Sequence, residues 1–297
     1  MKKSAKTVER GRPNRDSHAA ILCLLSVGAT VLSLSACSSK GALRTKNPTA
    51  GDANVGTGVL DCPGEAGPTM ARLPQGYCID TTEVTRAQYA AWLAKTPSTV
   101  EQDGWCSWNA SFAPSSSCMS ERYACNAGVG SNACDEEPQI CVNWCDAYAY
   151  CKAVGKRLCG KVGGGANGFD DYADAGASQW YGACVSGEAN DSYTYGNTYD
   201  ASACTGSEAA PASSVGSHPQ CQSPVRGYGG VYDLTGNVWE WEDSCSGNAG
   251  QTDPCHRRGG SFGGGIAGDA GNQRCDEDNS LARNSSRVNL GFRCCAD

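Results

Sequence analysis

Twenty cysteines in a chain of 297 residues constrain its fold more than any other feature. No two of them are spaced as C-x-x-C, the spacing of zinc ribbons and thioredoxin-like redox sites, and the chain has only three histidines. Metal binding through sulfur and imidazole is therefore disfavoured. In an oxidising compartment, so many thiols are expected to pair as disulfides that stabilise the fold.

The N-terminal segment has the charge pattern of an export signal. Six basic residues within the first 15 precede an apolar run at 19–34, which is too short to span a bilayer comfortably. The run ends in Leu34-Ser35-Ala36-Cys37, which is similar to the bacterial lipobox, where the thiol is acylated and the peptide is cut before it. We predict a lipoprotein signal peptide at 1–36 and lipid on Cys37. The alternative is an ordinary signal peptide, with Cys37 in a disulfide.

The mature chain is predicted to be a flexible tether at 37–60 followed by one domain at 61–297. The tether contains no aromatic residue and is rich in Gly, Ala, Thr, Asn and Ser. Loss of Cys23 with the signal and acylation of Cys37 leave 18 cysteines, an even number, as disulfides require.

Charge limits the partners that this chain can have. Removal of residues 1–36 takes away six basic and two acidic residues, so the formal net charge falls from −7 to −11. Such an acidic chain is not expected to bind nucleic acid. We expect it to contact the lipid bilayer through several acyl chains on Cys37, because one chain alone binds only marginally. Its domain would face the periplasm or the cell exterior.

Two amphipathic helices are predicted within the domain. Thr85 can cap the first, over 85–95, in which Tyr89, Trp92 and Leu93 share one face. Asn143 can cap the second, which runs to about Gly155.

Four segments between residues 75 and 295 form a recognisable series. They are 78–89 (CIDTTEVTRAQY), 142–158 (VNWCDAYAYCKAVGKRL), 231–241 (VYDLTGNVWEW), and the pair RGGSF at 258–262 with NLGFRC at 289–294. In this order and spacing they resemble the formylglycine-generating-enzyme, or sulfatase-modifying-factor, domain family. The resemblance implies an irregular, loop-rich α+β domain of the C-type-lectin-like kind, stapled by disulfides.

The resemblance also implies particular disulfides and a calcium site. Family members join the positions of Cys151 with Cys294 and of Cys184 with Cys275; proximity alone suggests Cys62 with Cys78, Cys204 with Cys221, and Cys245 with Cys255. The family holds calcium with oxygens of the positions that match Asp233, Gly236, Val238 and Glu240, which suits a hard cation. From the residues alone, a turn with solvated or capping carboxylates remains the alternative.

Catalysis by this family depends on a cysteine pair that is absent here. Active members use copper and two cysteines five residues apart, shortly after R-G-G-S-[FW]. The matching positions fall at Gly264 or Gly265 and at Asp269 or Ala270. Cys295 is the one weak catalytic candidate, and its alternative role is a further disulfide. Copper is therefore expected only if the thiols have been relocated.

The positions of Trp239, Ser261 and Phe262 match the wall of the family's substrate groove. We expect Trp239 and Trp241 to face opposite sides of their strand, so that at most one of them reaches the cleft. Two functions stay open. The favoured one is a non-catalytic surface module that binds a peptide, a glycan or an envelope protein. The alternative is a formylglycine-generating oxidase that acts on a cysteine of sulfatase-type substrates.

We predict that Cys37 carries lipid. Cells grown with a labelled fatty acid should label the wild-type protein but not the Cys37→Ala variant. Cys23→Ala, which changes a cysteine within the signal itself, is the matched control and should label normally. Label that persists on Cys37→Ala would contradict the lipobox assignment.

Overall fold

Two small sheets organise the part of the chain that the structure describes. The structure is a computed structural model, and it describes residues 62–64, 66–121, 124, 134–206, 211–262 and 273–297. The predicted signal peptide, Cys37 and the tether lie outside these residues and stay predictions. No helix within the described ranges is long and apolar enough to cross a membrane.

The first sheet joins strands from both ends of the domain. It is antiparallel, with the order β1-β2-β8-β3, and consists of β1 (Met70–Arg72), β2 (Cys78–Asp80), β3 (Arg157–Leu158) and β8 (Cys294–Ala296). In the centre, Cys295 of β8 lies opposite both Ile79 and Arg157. The last strand of the chain therefore holds the first and the middle strands together.

The second sheet has the order β6-β5-β4-β7. It consists of β4 (Trp239–Cys245), β5 (Pro254–Arg258), β6 (Ser280–Ala282) and β7 (Leu290–Phe292). The β4–β7 pair is parallel and the other two pairs are antiparallel. One residue, Arg293, separates β7 from β8, so the chain passes from one sheet to the other at this point.

Both predicted helices are present. Thr85 and Asn143 cap them through capping boxes: each cap side chain accepts a bond from the third helical N–H, and the side chain of Gln88 or Asp146 accepts one in return. The second helix stops before Gly155, whose φ of +73° is left-handed. The described α-helices are α1 (Arg86–Leu93), α2 (Ser116–Met119), α3 (Trp144–Ala153) and α4 (Gln179–Cys184).

The apolar face of β4 packs on α1 and α3. Trp239 and Trp241 both belong to this core cluster, together with Tyr89, Tyr150 and Phe292. The expectation that the two indole rings face opposite ways is wrong, because side chains two residues apart on a strand point to the same face. Trp241 Nε1 also donates to the Val142 carbonyl at 3.3 Å.

The other face of β4 is polar and yet fully buried. Glu240, Glu242 and Ser244 meet His256 and Arg258 of β5, and all five residues have no exposed surface. Glu242 Oε2 lies 3.6 Å from Arg258 Nε, and His256 Nδ1 lies 3.1 Å from Ser244 Oγ. Because a buried charge is costly unless it is paired, this face depends on complementary partners rather than on apolar packing.

Disulfides connect elements throughout the described chain. Both pairs implied by the family resemblance are present, Cys151–Cys294 and Cys184–Cys275, and so are the three pairs suggested by proximity. Three further pairs were not anticipated: Cys106–Cys145, Cys118–Cys141 and Cys159–Cys295. Short strands, short helices and many bridges confirm the prediction of an irregular, loop-rich α+β domain.

The adjacent residues Cys294 and Cys295 anchor β8 to two different elements, through Cys151 in α3 and Cys159 after β3. The two bridges span 143 and 136 residues of sequence. They are not independent, since either one already brings the same parts of the chain together. With one bridge intact, the other closes only the short additional loop from residue 151 to residue 159.

We therefore predict non-additive losses of stability when these bridges are removed. In the chain-entropy model, removing one bridge by a Cys→Ser pair, with the other intact, opens only the short loop and should lower the free energy of unfolding by about 3 kcal/mol. Removing the remaining bridge then opens the long loop, which should lower it by about 5 kcal/mol more. Removing both pairs should therefore cost more than the sum of the single losses. Urea unfolding of the three variants measures this, and additive losses would contradict the shared-loop account.

Candidate functional site

The residues predicted to form the groove wall are buried in the described structure. Trp239 is 2% exposed, and the Arg257 guanidinium lies 4.4 Å above its ring centroid. Ser261 is fully buried, and its Oγ accepts a hydrogen bond from Asn289 Nδ2 at 2.9 Å. Phe262 packs in a separate core cluster. The positions expected for catalytic cysteines, within 263–272, lie outside the described residues.

The turn at 233–240, predicted to bind calcium, has an uncommon backbone. Asp233 and Asn237 adopt φ values of +61° and +51°, in the left-handed region that few side chains enter. Gly236 has φ of +81°, and a Cβ there would collide with the Thr205 carbonyl oxygen. The Asn237 N–H donates to that same carbonyl at 2.7 Å. These contacts fix the turn against the backbone at Thr205.

Glu240, at the end of this turn, is the partner of a buried arginine. Arg293 Nε and Nη2 donate to its two carboxylate oxygens, each at 2.6 Å, and Trp180 Nε1 donates to Oε2 at 2.8 Å. Arg293 also donates to the carbonyls of Asp80 and Tyr232, at 3.0 and 2.8 Å. Although burial alone disfavours a charged guanidinium, the Glu240 carboxylate raises the pKa of Arg293.

Two more buried carboxylates lie near this ion pair. Asn237 Nδ2 donates to Glu83 Oε1 at 2.9 Å, whereas Glu83 Oε2 is buried with no hydrogen-bond partner among the described residues. Burial and the charges of Asp233 and Glu240 raise the pKa of Glu83 well above its ordinary value. Burial likewise raises the pKa of Asp233 to about 6. Of these three carboxylates only Glu240 is hydrogen-bonded to Arg293, and burial favours the protonated forms of the other two.

The cluster offers the kind of ligand that calcium takes, although both Glu240 oxygens already accept hydrogen bonds from Arg293. Carboxylate and carbonyl oxygens are the ligands that calcium prefers, and a divalent cation would offset the repulsion between these carboxylates when they are ionised. Within the described ranges, no three Asp, Glu, His or Cys side chains form a group that could hold a metal. Asp233 and Glu240 would therefore need the main-chain carbonyls of Gly236 and Val238 as additional ligands.

We call Glu83, Asp233, Asn237, Glu240 and Arg293 the polar cluster. The sequence did not predict three of them as site residues: Glu83, Asn237 and Arg293. Each lies inside a segment that was recognised as a motif, in TEVT, TGNV and GFRC respectively. In the sequence, each of the three is a polar residue next to an apolar one: Val84, Val238 or Phe292. These apolar neighbours are buried in the structure. Since the three residues lie far apart in the sequence, nothing local indicated that they meet.

Comparison with known proteins decides the family. Residues 47–297 match the family model for the sulfatase-modifying factor enzyme 1-like domain. The chain belongs to this family. The match covers every described residue of this sulfatase-modifying-factor domain, including both sheets and the polar cluster.

Solved structures with some similarity to this domain include the following three. PvdO from Pseudomonas aeruginosa is 19% identical over 74% of this chain and 80% of its own, with a TM-score of 0.47. CarF is 17% identical over 74% and 86%, with a TM-score of 0.45. Variable protein 1 of Treponema denticola is 21% identical over 74% and 84%, with a TM-score of 0.44.

The described cysteines of this sulfatase-modifying-factor domain do not fit a copper site. Cu(I) is held by soft thiolate ligands, and every described cysteine is disulfide-bonded. The weak candidate Cys295 is no exception: it is bonded to Cys159 and fully buried. Cys295 thus has the alternative role stated for it, a disulfide, and in this state it offers no thiolate.

Proposed function

We propose that this chain is a non-catalytic binding module of the sulfatase-modifying-factor family. The observation that carries the proposal is that no described cysteine has a free thiol, because all of them form disulfides. In addition, the sequence between Ser261 and Cys275 contains no cysteine. A thiol oxidase of this family type needs reducible cysteine at its site. This chain has replaced those positions with glycine, aspartate or alanine.

In this proposal the module is held at the bacterial envelope by lipid on Cys37 and faces the periplasm or the cell exterior. The domain uses the cleft beside Ser261 and Phe262 to bind an envelope protein, a peptide or a glycan. Ser261 and Phe262 are buried, so they would support such a binding surface from beneath, and a surface gains affinity when its supporting side chains are already ordered. Asn289 orders Ser261 in this way.

The expected result of an activity test is that no formylglycine forms. The purified mature protein, loaded with copper under mild reductant, is incubated with a peptide that carries the sulfatase-type C-x-P-x-R sequence. Mass spectrometry then follows loss of the substrate thiol and gain of aldehyde. A site with only glycine, alanine and Asp269 at the copper positions lacks the thiolates that hold Cu(I).

Two controls make this test decisive. Alkylation under denaturing, non-reducing conditions should modify none of the described cysteines, which checks that the assayed protein keeps its disulfides. Cys295→Ser should leave the result unchanged. Copper-dependent conversion that Cys295→Ser abolishes would show that the thiols have been relocated, and the oxidase function would replace the binding one.

We also propose that the Asp233–Glu240 turn binds a structural calcium ion. The repulsion of Glu83 by Asp233 and Glu240 supports it, as does the unpartnered Glu83 oxygen. The ion would supply charge compensation only. Asp233 and Glu240 would bind it through carboxylate oxygens, while Arg293 keeps its contacts with Glu240.

Calcium should therefore raise the melting temperature of the wild-type protein, and a chelator should lower it, because a ligand that binds only the native state stabilises it. Asp233→Asn should abolish this response. In chelator, Asp233→Asn should be at least as stable as the wild type near pH 7.5, since the raised pKa of Asp233 means that its buried charge is unfavourable.

Asp170→Asn, which removes an exposed carboxylate elsewhere, is the matched control and should respond to calcium as the wild type does. Asp233→Asn is preferred over a change at Glu240 because Glu240 is also the partner of Arg293. If Asp233→Asn keeps the full calcium response, the ion binds elsewhere.

A further inference from the structure

One edge of the first sheet is open within the described chain. β1 (Met70–Arg72) is the outermost strand and pairs with β2 on one side only. An edge strand presents unpaired main-chain N–H and C=O groups, which can pair with a strand of another chain. Pro68 and Pro74 lie on either side of β1, and proline has no N–H to donate. The open edge is therefore short, and it suits a short strand rather than a continuous sheet.

The hydrogen-bond pattern of β1 shows which of its groups face outward. The Thr81 N–H donates to the Thr69 carbonyl at 2.8 Å. In an antiparallel ladder the bonded residues alternate, so Ala71 is the next residue of this strand that bonds to β2. Met70 and Arg72 therefore direct their N–H and C=O groups away from β2. None of these four groups is hydrogen-bonded to another described residue.

A pocket of about 380 Å³ lies beside this edge. It is lined by β1, by its neighbours on the sheet and by a glycine-rich loop: Thr69, Met70, Ala71, Arg72, Thr81, Gly227, Gly229 and Gly230. The Met70 side chain packs with Cys78 and Ala296 on a buried face, so this residue offers its main chain to the pocket. The glycines have no side chain, so a second backbone can approach this wall closely.

The glycine-rich loop is held in place from beneath. Tyr228, between two of the glycines, is buried in a core cluster. The Gly230 N–H donates to Gln222 Oε1 at 2.7 Å, and the Tyr232 N–H donates to the Thr81 carbonyl at 2.8 Å. Both walls of the pocket are thus formed before anything binds, which lowers the cost of ordering them.

Arg72 gives this edge a positive charge. It is exposed, and it is the one charged residue among the described residues that line the pocket. It forms no ion pair with another residue in the described ranges. Side chains directly opposite each other on neighbouring strands lie close together, and opposite charges there are stabilising. A strand that pairs with β1 is therefore favoured when it places a carboxylate opposite Arg72.

We propose that the edge of β1 binds an extended, acidic segment of a partner protein, which adds a further strand to the first sheet. Main-chain hydrogen bonds to Met70 and Arg72 hold the segment, and its acidic side chain pairs with Arg72. A second copy of this chain fits less well, because two β1 strands paired through these groups would bring two Arg72 side chains onto one face of the joined sheet. The edge does not depend on the proposed cleft, and either can fail without the other.

The test is a titration of the mature protein with three blocked pentapeptides, followed by NMR. The first is Thr-Val-Glu-Val-Thr, the second has Lys in place of Glu, and the third is the first with every main-chain nitrogen methylated. The first should give saturable shifts at the amides of Met70 and Arg72. The second should bind at least about threefold more weakly, because it places a like charge opposite Arg72. The third should not bind, since it has no main-chain donor.

Variants of Arg72 separate the charge from the main-chain contacts. Arg72→Glu should reverse the preference, so that the Lys peptide binds more tightly than the Glu peptide. Arg72→Pro removes an outward N–H that bonds nothing in β2, and it should weaken binding of the Glu peptide by about fivefold or more, the effect of one net hydrogen bond. Lys95→Ala, an exposed residue after α1, is the control and should bind as the wild type does. Melting temperatures check that each variant is folded.

Several results would overturn the proposal. Absence of saturable shifts with the Glu peptide up to its solubility limit would do so, as would equal binding of the methylated peptide or of the Lys peptide. Shifts at Met70 and Arg72 that depend on protein concentration alone would assign the edge to a second copy of the chain. Peptide-induced shifts at Ser261 and Asn289 without shifts in β1 would place the peptide in the proposed cleft instead.

Discussion

The ion pair between Arg293 and Glu240 connects the two sheets of this domain. Arg293 is the single residue between β7 and β8, where the chain leaves one sheet for the other. Its guanidinium binds Glu240 in the second sheet and the Asp80 carbonyl in the first. Because a buried charge without its partner is costly, loss of either member would leave the junction unsupported.

A second buried pair reinforces this junction. Lys156 donates to Asp80 Oδ1 at 2.6 Å, and the Cys294 N–H donates to Asp80 Oδ2 at 2.9 Å. Burial raises the pKa of Asp80 to about 6 even though Lys156 lowers it. The segments that identify the family thus meet one another: D-x-x-E-V-T supplies Asp80, G-K-R-L supplies Lys156, and G-F-R-C supplies Arg293. Their apolar residues pack, while their charged residues determine which segments pair.

Sequence predicted the features that depend on neighbouring residues. The caps at Thr85 and Asn143 were predictable because a capping box lies within four residues. The pairs Cys62–Cys78, Cys204–Cys221 and Cys245–Cys255 were accessible because 10 to 17 residues separate their members. The long bridges Cys151–Cys294 and Cys184–Cys275 came only from family resemblance. Cys159–Cys295 came from neither, because nothing local specifies a partner 136 residues away.

The site was less predictable than the fold. Positions that match the family's groove, such as Ser261 and Phe262, are buried here. This was not predictable, because a motif match does not indicate whether a side chain is exposed. The buried carboxyls around Glu83 come from segments that converge only in three dimensions.

The central position of β8 affects the order in which this protein can fold. A chain that emerges with its N-terminus first presents β2 and β3 long before β8, because Cys295 of β8 follows Cys159 by 136 residues. Until β8 arrives, both strands have open edges, and Cys151 and Cys159 lack their native partners. Two unpaired thiols eight residues apart could bond to each other meanwhile. Correct folding therefore requires that any such early bridge stays exchangeable until β8 is available.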